Sequence, residues 1–205
     1  MIVTRRSIGL VLVLVPILSL PLGAPAAAQG NRPPLGEPGT ELGALIGAGS
    51  TSTHTGPMLS GIAGWRLNGW LLGEARGTWL ARGAEATAFE ADLGVSARLY
   101  RRGPASPYIG GGFGLYRADF GSSSAAMSDF YRRRLGTSAI GTPRGAAFTD
   151  PVVRLSAGVD VPLGRAFLLR PEASALFVRR DGRGETVGLF GLRLAYRFED
   201  RPVTP

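Results

Sequence analysis

The feature of this chain that most constrains its fold is a strict two-residue alternation close to its end. Over residues 190–198, apolar side chains occupy every second position and alternate with small or charged ones. The apolar positions are Phe190, Leu192, Leu194, Tyr196 and Phe198. Successive side chains of a β-strand point to opposite faces, so the segment predicts a strand with one apolar face and one polar face.

The same alternation recurs in seven earlier segments, which gives eight predicted strands. The fourth is the clearest, because Glu90, Asp92 and Arg98 alternate with apolar residues and a helix would spread these charges around its surface. Tilted strands of this length can cross a membrane. The predicted strands cover residues 41–49, 58–67, 70–81, 89–100, 108–119, 152–163, 167–178 and 185–198.

The predicted connections alternate between short and long. Asn68-Gly69 is a strong signal for a tight hairpin, since both residues tolerate positive φ. Residues 101–106 and 164–165 form the other short turns, while the longer set is 50–57, 82–85, 120–150 and 179–184. Short turns on one side and longer loops on the other are typical of a transmembrane barrel with both termini at the short-turn end.

Two details are predicted within the strands. Pro171 cannot donate to a hydrogen-bond ladder, so we expect a β-bulge there. Aromatic residues near the strand ends predict two girdles at the membrane interfaces. One girdle would contain Trp65, Trp70, Tyr100, Tyr108, Tyr196 and Phe198, and the other Trp79, Tyr116, Phe120 and Phe177.

The start of the chain has the pattern of a secretory signal peptide. Arg5 and Arg6 precede an apolar stretch over residues 8–22, and three alanines ending at Ala28 supply small residues for cleavage. We therefore expect a signal peptide at 1–28, a flexible periplasmic lead-in at 29–40, a barrel at 41–198 and a C-terminal tail at 199–205. An exported chain of membrane-length strands indicates the bacterial outer membrane.

Two segments carry a resemblance to a known family: residues 107–114, Pro-Tyr-Ile-Gly-Gly-Gly-Phe-Gly, and residues 191–198, Gly-Leu-Arg-Leu-Ala-Tyr-Arg-Phe. The chain resembles the OmpA-like eight-stranded outer-membrane β-barrel superfamily over about residues 41–198. The resemblance implies an all-β fold, a closed, eight-stranded, antiparallel, up-and-down transmembrane β-barrel folded by the barrel-assembly machinery. In that family the final aromatic usually ends the chain, whereas seven residues follow Phe198 here. We expect a monomer.

Charged residues on the polar strand faces are the main chemical feature. Seven acids and seven arginines are predicted to face a lumen that eight strands make just wide enough for side chains. A balanced set should form a paired network that plugs this lumen, because an isolated buried charge is costly. A gated ion path, a polar-ligand site or a catalytic carboxylate pair at Glu90 and Asp92 are the alternatives. The set is Glu41, Arg66, Glu74, Arg76, Glu90, Asp92, Arg98, Arg154, Asp160, Arg170, Glu172, Glu185, Arg193 and Arg197.

A second set of arginines is predicted in the outer loops. The outer leaflet displays lipopolysaccharide phosphates, and the planar guanidinium fork binds phosphate well. We expect these arginines to form a solvated charged rim, and contact with outer-membrane lipid and lipopolysaccharide is the functional alternative. We expect no nucleic-acid binding, since export and alternating strands explain the basic charge. The residues are Arg82, Arg132, Arg133, Arg134, Arg179, Arg180 and Arg183.

His54, the one histidine, lies in the first outer loop. Some eight-stranded barrels modify lipid A with a His and a Ser, so His54 with a nearby serine, such as one at 122–124, is a possible site. A solvated loop histidine is the simpler interpretation. One His and no Cys predict no metal site, and no cofactor is expected.

The sequence therefore predicts a non-enzymatic outer-membrane barrel with a charge-plugged lumen. Its role would be structural or in surface interaction through its extracellular loops. The alternatives are a small diffusion channel, a lipid A-modifying barrel enzyme, and a soluble periplasmic barrel of lipocalin type. The last would have to place its apolar strand faces inside.

Overall fold

A computed structural model describes residues 39–83, 85–99, 105–121, 127–135, 145–164 and 166–198. Eight antiparallel strands pair in sequence order, and β8 pairs with β1 to close the barrel, which confirms the predicted fold. The elements are β1 (Thr40–Ser50), β2 (Thr55–Arg66), β3 (Leu71–Ala81), β4 (Ala86–Arg98), β5 (Ser106–Phe120), α1 (Asp129–Arg132), β6 (Ala146–Leu163), β7 (Phe167–Arg180) and β8 (Arg183–Phe198).

Several predictions fall wholly or partly outside these ranges. They are the signal peptide at 1–28, most of the lead-in at 29–40, the tail at 199–205, Tyr100, the serines at 122–124 and parts of the predicted connections at 82–85, 101–106, 120–150 and 164–165. Among the residues that the structure describes, no helix has the length and apolar character needed to cross a membrane.

The two strand faces separate as the alternation predicts. Large apolar side chains cover the outside of the barrel, where Ile46, Leu93 and Phe113 are each more than 60% exposed. Most charged residues of the strands face inward and are buried, whereas the side chains of Arg117 and Asp119 in β5 are exposed and pair with each other. A continuous exposed apolar wall around a polar interior is the arrangement of a barrel whose outside contacts lipid.

In strand β5 the sequence defined least clearly which side chains face inward and which face outward. Ile109, Phe113 and Leu115 point outward, whereas Tyr108 and Tyr116 are buried inside the barrel. Phe120 is also buried inside. The prediction that Tyr108, Tyr116 and Phe120 belong to the interface girdles was therefore wrong, because the inward parity of β5 falls on even-numbered residues.

Pro171 is accommodated without the predicted bulge. The β6–β7 register is the same on both sides of it, since Gly158 pairs with Glu172 and Val161 with Leu169. No residue is inserted, and the ladder is merely interrupted where proline lacks an N–H. On its other side Pro171 pairs regularly with Leu192.

Two turns also differ from expectation. The β2–β3 connection spans residues 67–70, and the Asn68 Oδ1 accepts hydrogen bonds from the N–H groups of Trp70 and Leu71 at 3.0 and 2.9 Å. The β7–β8 connection, expected to be a longer loop at 179–184, is a two-residue turn. Asp181 and Gly182 both have positive φ, 52° and 73°, as a type I′ hairpin requires.

Candidate functional site

The half of the lumen where β1 begins and β8 ends is filled by a network of buried ion pairs. Glu74 Oε1 accepts hydrogen bonds from Arg193 Nη1 at 2.6 Å and from Arg170 Nη1 at 3.1 Å. Arg193 Nη2 also donates to Glu41 Oε1 at 2.7 Å, and Arg170 Nε donates to Asp160 Oδ1 at 2.5 Å. These five side chains come from β1, β3, β6, β7 and β8, so the network joins strands that are distant in sequence.

Two further ion pairs lie above this group. Arg76 Nη1 donates to Glu172 Oε1 at 2.5 Å, and the other carboxylate oxygen accepts the Tyr108 hydroxyl at 2.6 Å. Arg154 binds Asp92 through two parallel hydrogen bonds of 3.0 and 2.9 Å. Both pairs are almost fully buried. Such charges are stable there only because each faces an opposite charge.

The remaining predicted lumen residues occupy the two ends and the middle of the interior. Arg66, Arg98 and Arg197 are half-buried at the end of the barrel where β8 ends, and Arg98 Nε donates to Asp160 Oδ2 there at 2.8 Å. Glu185 is buried near the outer end. Glu90 is buried mid-lumen, and its carboxylate oxygens have no hydrogen-bond partner in the described part of the chain. Because Asp92 is held by Arg154, the structure does not present Glu90 and Asp92 as a free carboxylate pair.

The outer half of the lumen is filled mainly by apolar and aromatic side chains, which the sequence alone did not predict. The short helix α1 folds inward over the barrel mouth, and Met127 and Tyr131 are at most 1% exposed. The Tyr131 ring contacts Phe120 and Phe148, with ring centroids 5.1 Å apart in each case. Burial raises the pKa of the Tyr131 hydroxyl well above its ordinary value. We call Met127, Phe130 and Tyr131, together with Phe120 and Phe148, the aromatic cap.

Arg82 was predicted on the lipopolysaccharide-facing rim, and the structure places it inside instead. It is 1% exposed. Its Nη2 donates to Glu185 Oε1 at 2.7 Å and its Nη1 to the Tyr116 hydroxyl at 3.0 Å. The guanidinium lies 5.3 Å from the ring centroid of Tyr131. Arg82 continues the buried even-numbered positions of β3, after Thr78 and Leu80, so it belongs to the interior.

Arg134 is likewise drawn inward. Its Nη1 donates to the buried Asp150 Oδ2 at 2.5 Å, and its guanidinium stacks 4.6 Å from the Phe148 ring centroid. It therefore holds the aromatic cap against β6. Five of the seven predicted rim arginines remain accessible at the outer end: Arg132, Arg133, Arg179, Arg180 and Arg183.

His54 packs against the neighbouring β3–β4 turn. A Cβ at position 83 would lie 2.7 Å from His54 Cδ2, so the ring rests on Gly83. The His54 Nδ1 is buried without a hydrogen-bond partner in the described residues. Among the described residues, therefore, no serine forms a hydrogen bond with His54 Nδ1. No group of three or more potential ligands for a metal ion occurs in the described ranges.

Glycines on β4 and β5 make room for the Arg154–Asp92 pair. A Cβ at Gly112 would overlap Asp92 Oδ1 and lie 3.1 Å from Arg154 Nη2. A Cβ at Gly94 would also lie 3.1 Å from Arg154 Nη2. The bulky ion pair therefore fits because two adjacent strands carry no side chain beside it.

We predict that Gly112→Ala lowers the free energy of unfolding by about 1–3 kcal/mol, because the added methyl group overpacks the ion pair. Gly61→Ala is the matched control, since a Cβ there meets nothing within 4 Å. The measurement is guanidinium unfolding of the detergent-folded barrel. Equal stability of the two variants would contradict this role of Gly112.

No family model and no curated protein matches the chain. Its structure is similar to that of neisserial surface protein A, with 15% identity, 78% of this chain and 96% of that chain covered, and a TM-score of 0.56. The N-terminal β-barrel domain of Pseudomonas aeruginosa OprF is 13% identical, with 80% and 99% covered and a TM-score of 0.54. Ail, the attachment invasion locus protein of Yersinia pestis, is 16% identical, with 80% and 99% covered and a TM-score of 0.48.

Proposed function

We propose that this chain, which has the fold of the eight-stranded outer-membrane β-barrels, is a non-enzymatic structural protein of the bacterial outer membrane with a closed lumen. The observation that carries the proposal is the filling of the interior from end to end. Ion pairs occupy the half where β1 begins and β8 ends, and a mainly apolar core under the aromatic cap, together with the Arg82–Glu185 pair, occupies the outer half. We infer that the barrel presents its loops and rim to the surroundings and conducts no ions.

The exposed apolar wall supports the membrane location. Leucine, valine and aromatic side chains cover the outside on every strand, and a soluble barrel would expose this surface to water. A soluble barrel of lipocalin type is therefore disfavoured. Barrel closure leaves no unpaired strand edge, which supports a monomer inserted by the barrel-assembly machinery.

Membrane fractionation of the host tests this proposal. We expect the protein in the outer-membrane fraction, and we expect unboiled samples to migrate differently from boiled ones on a gel, because a hydrogen-bonded barrel resists detergent. In planar bilayers the purified protein should give no resolved conductance steps. Regular steps would favour the small diffusion channel, and recovery in the soluble periplasmic fraction would overturn the membrane location.

Lipid A mass spectra separate the proposal from the enzymatic alternative. We expect identical spectra from cells with and without the protein, since His54 rests on Gly83 and its Nδ1 has no partner among the residues described. A change in acylation that His54→Ala abolished would instead establish a lipid A-modifying enzyme.

A further inference from the structure

The Arg82 guanidinium is enclosed by aromatic rings inside the barrel mouth. Its central carbon lies 5.3 Å from the ring centroids of both Phe120 and Tyr131, and 5.9 Å from that of Tyr116. A cation within about 6 Å of an aromatic face is attracted by the ring quadrupole, and the attraction is strongest where water is excluded. The Arg82 side chain is fully buried. Three rings therefore surround a desolvated cation.

A carboxylate and a hydroxyl complete the surroundings of this cation. Arg82 Nη2 donates to Glu185 Oε1 at 2.7 Å, and Nη1 donates to the Tyr116 hydroxyl at 3.0 Å. Arg82 Nε has no hydrogen-bond partner among the residues described. The arrangement suits a planar cation that offers donors on two nitrogens and a flat face for the rings, which a compact ammonium group does not. We call Tyr116, Phe120, Tyr131 and Glu185 the guanidinium cage.

The guanidinium cage and its cation come from different parts of the chain. Two of the cage residues belong to β5, while Glu185 belongs to β8 and Tyr131 to α1. Arg82 directly follows β3, and its N–H donates to the Ala86 carbonyl at the start of β4 at 2.8 Å. The backbone of Arg82 is thus fixed by the β3–β4 hairpin and not by α1. The cation is in place at the mouth before α1 folds over it.

Tyr131 joins the guanidinium cage to the aromatic cap. Its ring contacts three other rings of the aromatic cap. The helix that carries it has four residues, too few for a stable helix on its own. Arg134 lies 5.9 Å from the same ring, but its side chain is 23% exposed, so its attraction to the ring is weaker than that of the buried Arg82. The order of the cap therefore depends on what Tyr131 packs against, and Arg82 is the buried cation there.

We propose that the guanidinium cage is a cation-binding site specific for a guanidinium group, filled within the chain by Arg82, and that its filling holds the aromatic cap closed over the barrel mouth. Arg82 is the ion-pair partner of Glu185. Without a cation, the Glu185 carboxylate is charged and unpaired, and it regains solvation only when the cap opens and admits water. An empty cage therefore favours the open cap. A guanidinium ion that enters the open mouth favours the closed one.

Chemical rescue of Arg82→Ala tests the proposal. The full chain is folded into detergent micelles, and amide hydrogen exchange is measured over residues 127–135 and along the strands. In Arg82→Ala we expect residues 127–135 to exchange about tenfold faster than in the wild type, while the strands keep their protection. Methylguanidinium, added well below the concentrations that unfold the barrel, should restore most of this protection. Urea, a neutral planar molecule of similar shape, should restore none.

Three further variants identify what the guanidinium cage recognises. Arg82→Lys should leave residues 127–135 as unprotected as Arg82→Ala does, because an ammonium group lacks the planar fork. Arg82→Ala/Glu185→Leu should not respond to methylguanidinium, since the carboxylate that binds it is gone. Arg133→Ala is the matched control. It removes an exposed arginine from the same segment and should exchange as the wild type does.

Wild-type protection of residues 127–135 in Arg82→Ala would overturn the assignment, as would equal restoration by urea or a response to methylguanidinium without Glu185. Gel mobility before and after boiling shows whether each variant folds. If Arg82→Ala does not fold, Arg82→Met keeps most of the side-chain volume without the charge, and wild-type exchange in that variant would also overturn the assignment. An aromatic cap that ignores methylguanidinium refutes this inference alone, whereas conductance steps from the wild type refute the closed lumen of the proposed function.

Discussion

Replacing Glu172 by leucine is expected to lower the free energy of unfolding of the barrel by about 3–5 kcal/mol. The substitution leaves the Arg76 guanidinium buried without its acceptor, and Arg76 Nε and Nη2 already lack hydrogen-bond partners in the described residues. An uncompensated charge inside a closed barrel cannot reach water. The Tyr108 hydroxyl also loses its acceptor, which adds to the cost.

The double variant Arg76→Met/Glu172→Leu distinguishes a charge effect from a packing effect. Removing both charges leaves no unpaired guanidinium, so the double variant should regain most of the stability lost by Glu172→Leu. The measurement is a double-mutant cycle by guanidinium unfolding in detergent micelles. Additive losses across the cycle would show that Arg76 and Glu172 do not stabilise each other.

Replacing Tyr131 by alanine is expected to release the aromatic cap while the barrel stays closed. Tyr131 is fully buried and its ring contacts Phe120, Phe130 and Phe148. Truncating a buried aromatic side chain typically costs about 3–5 kcal/mol. Here that loss falls on a four-residue helix that is held mainly by these contacts. The aromatic cap should therefore open locally far more often, while the free energy of unfolding of the whole barrel changes less.

Hydrogen exchange checks the cap directly. Amides of residues 127–135 should lose protection in Tyr131→Ala, while amides of the strands keep theirs. Tyr196→Ala is the control, because Tyr196 lies on the outer wall and is 43% exposed. Unchanged protection at 127–135, or equal loss of protection along all strands, would contradict the separate role of the cap.

The barrel and its polar interior could be predicted because period-two alternation fixes the facing of every residue on a strand. A slip of one position would turn Glu90 and Asp92 outward and Phe89 inward, so the alternation determines the interior. Turn geometry was harder to predict. Asp181-Gly182 is a hairpin dipeptide of the same type as Asn68-Gly69. The sequence did not show that β7 and β8 stay paired up to this dipeptide, which the strand pairing does.

The aromatic cap could not be predicted, because it depends on how a long connection folds back over the mouth. Arg82 and Arg134 were therefore placed on the rim, although the structure buries the first and stacks the second on Phe148. The sequence does contain an indication that this connection packs against the barrel. It places the large side chains of Met127, Phe130 and Tyr131 close together, which a solvated loop does not require. Large apolar residues in a predicted loop indicate that it packs against something.

The pairing of β1 with β8 has a consequence for the order of folding. Its eleven residue pairs join positions as far apart as Thr40 and Phe198, and Arg193 reaches Glu41 across the same seam. None of these contacts can form before the intervening strands are aligned, so closure carries the largest loop-closure entropy of any strand pairing. Until then Arg193 and Glu41 lack each other as partners. We therefore expect the β1–β8 seam to form last during folding and to be the slowest step of barrel assembly.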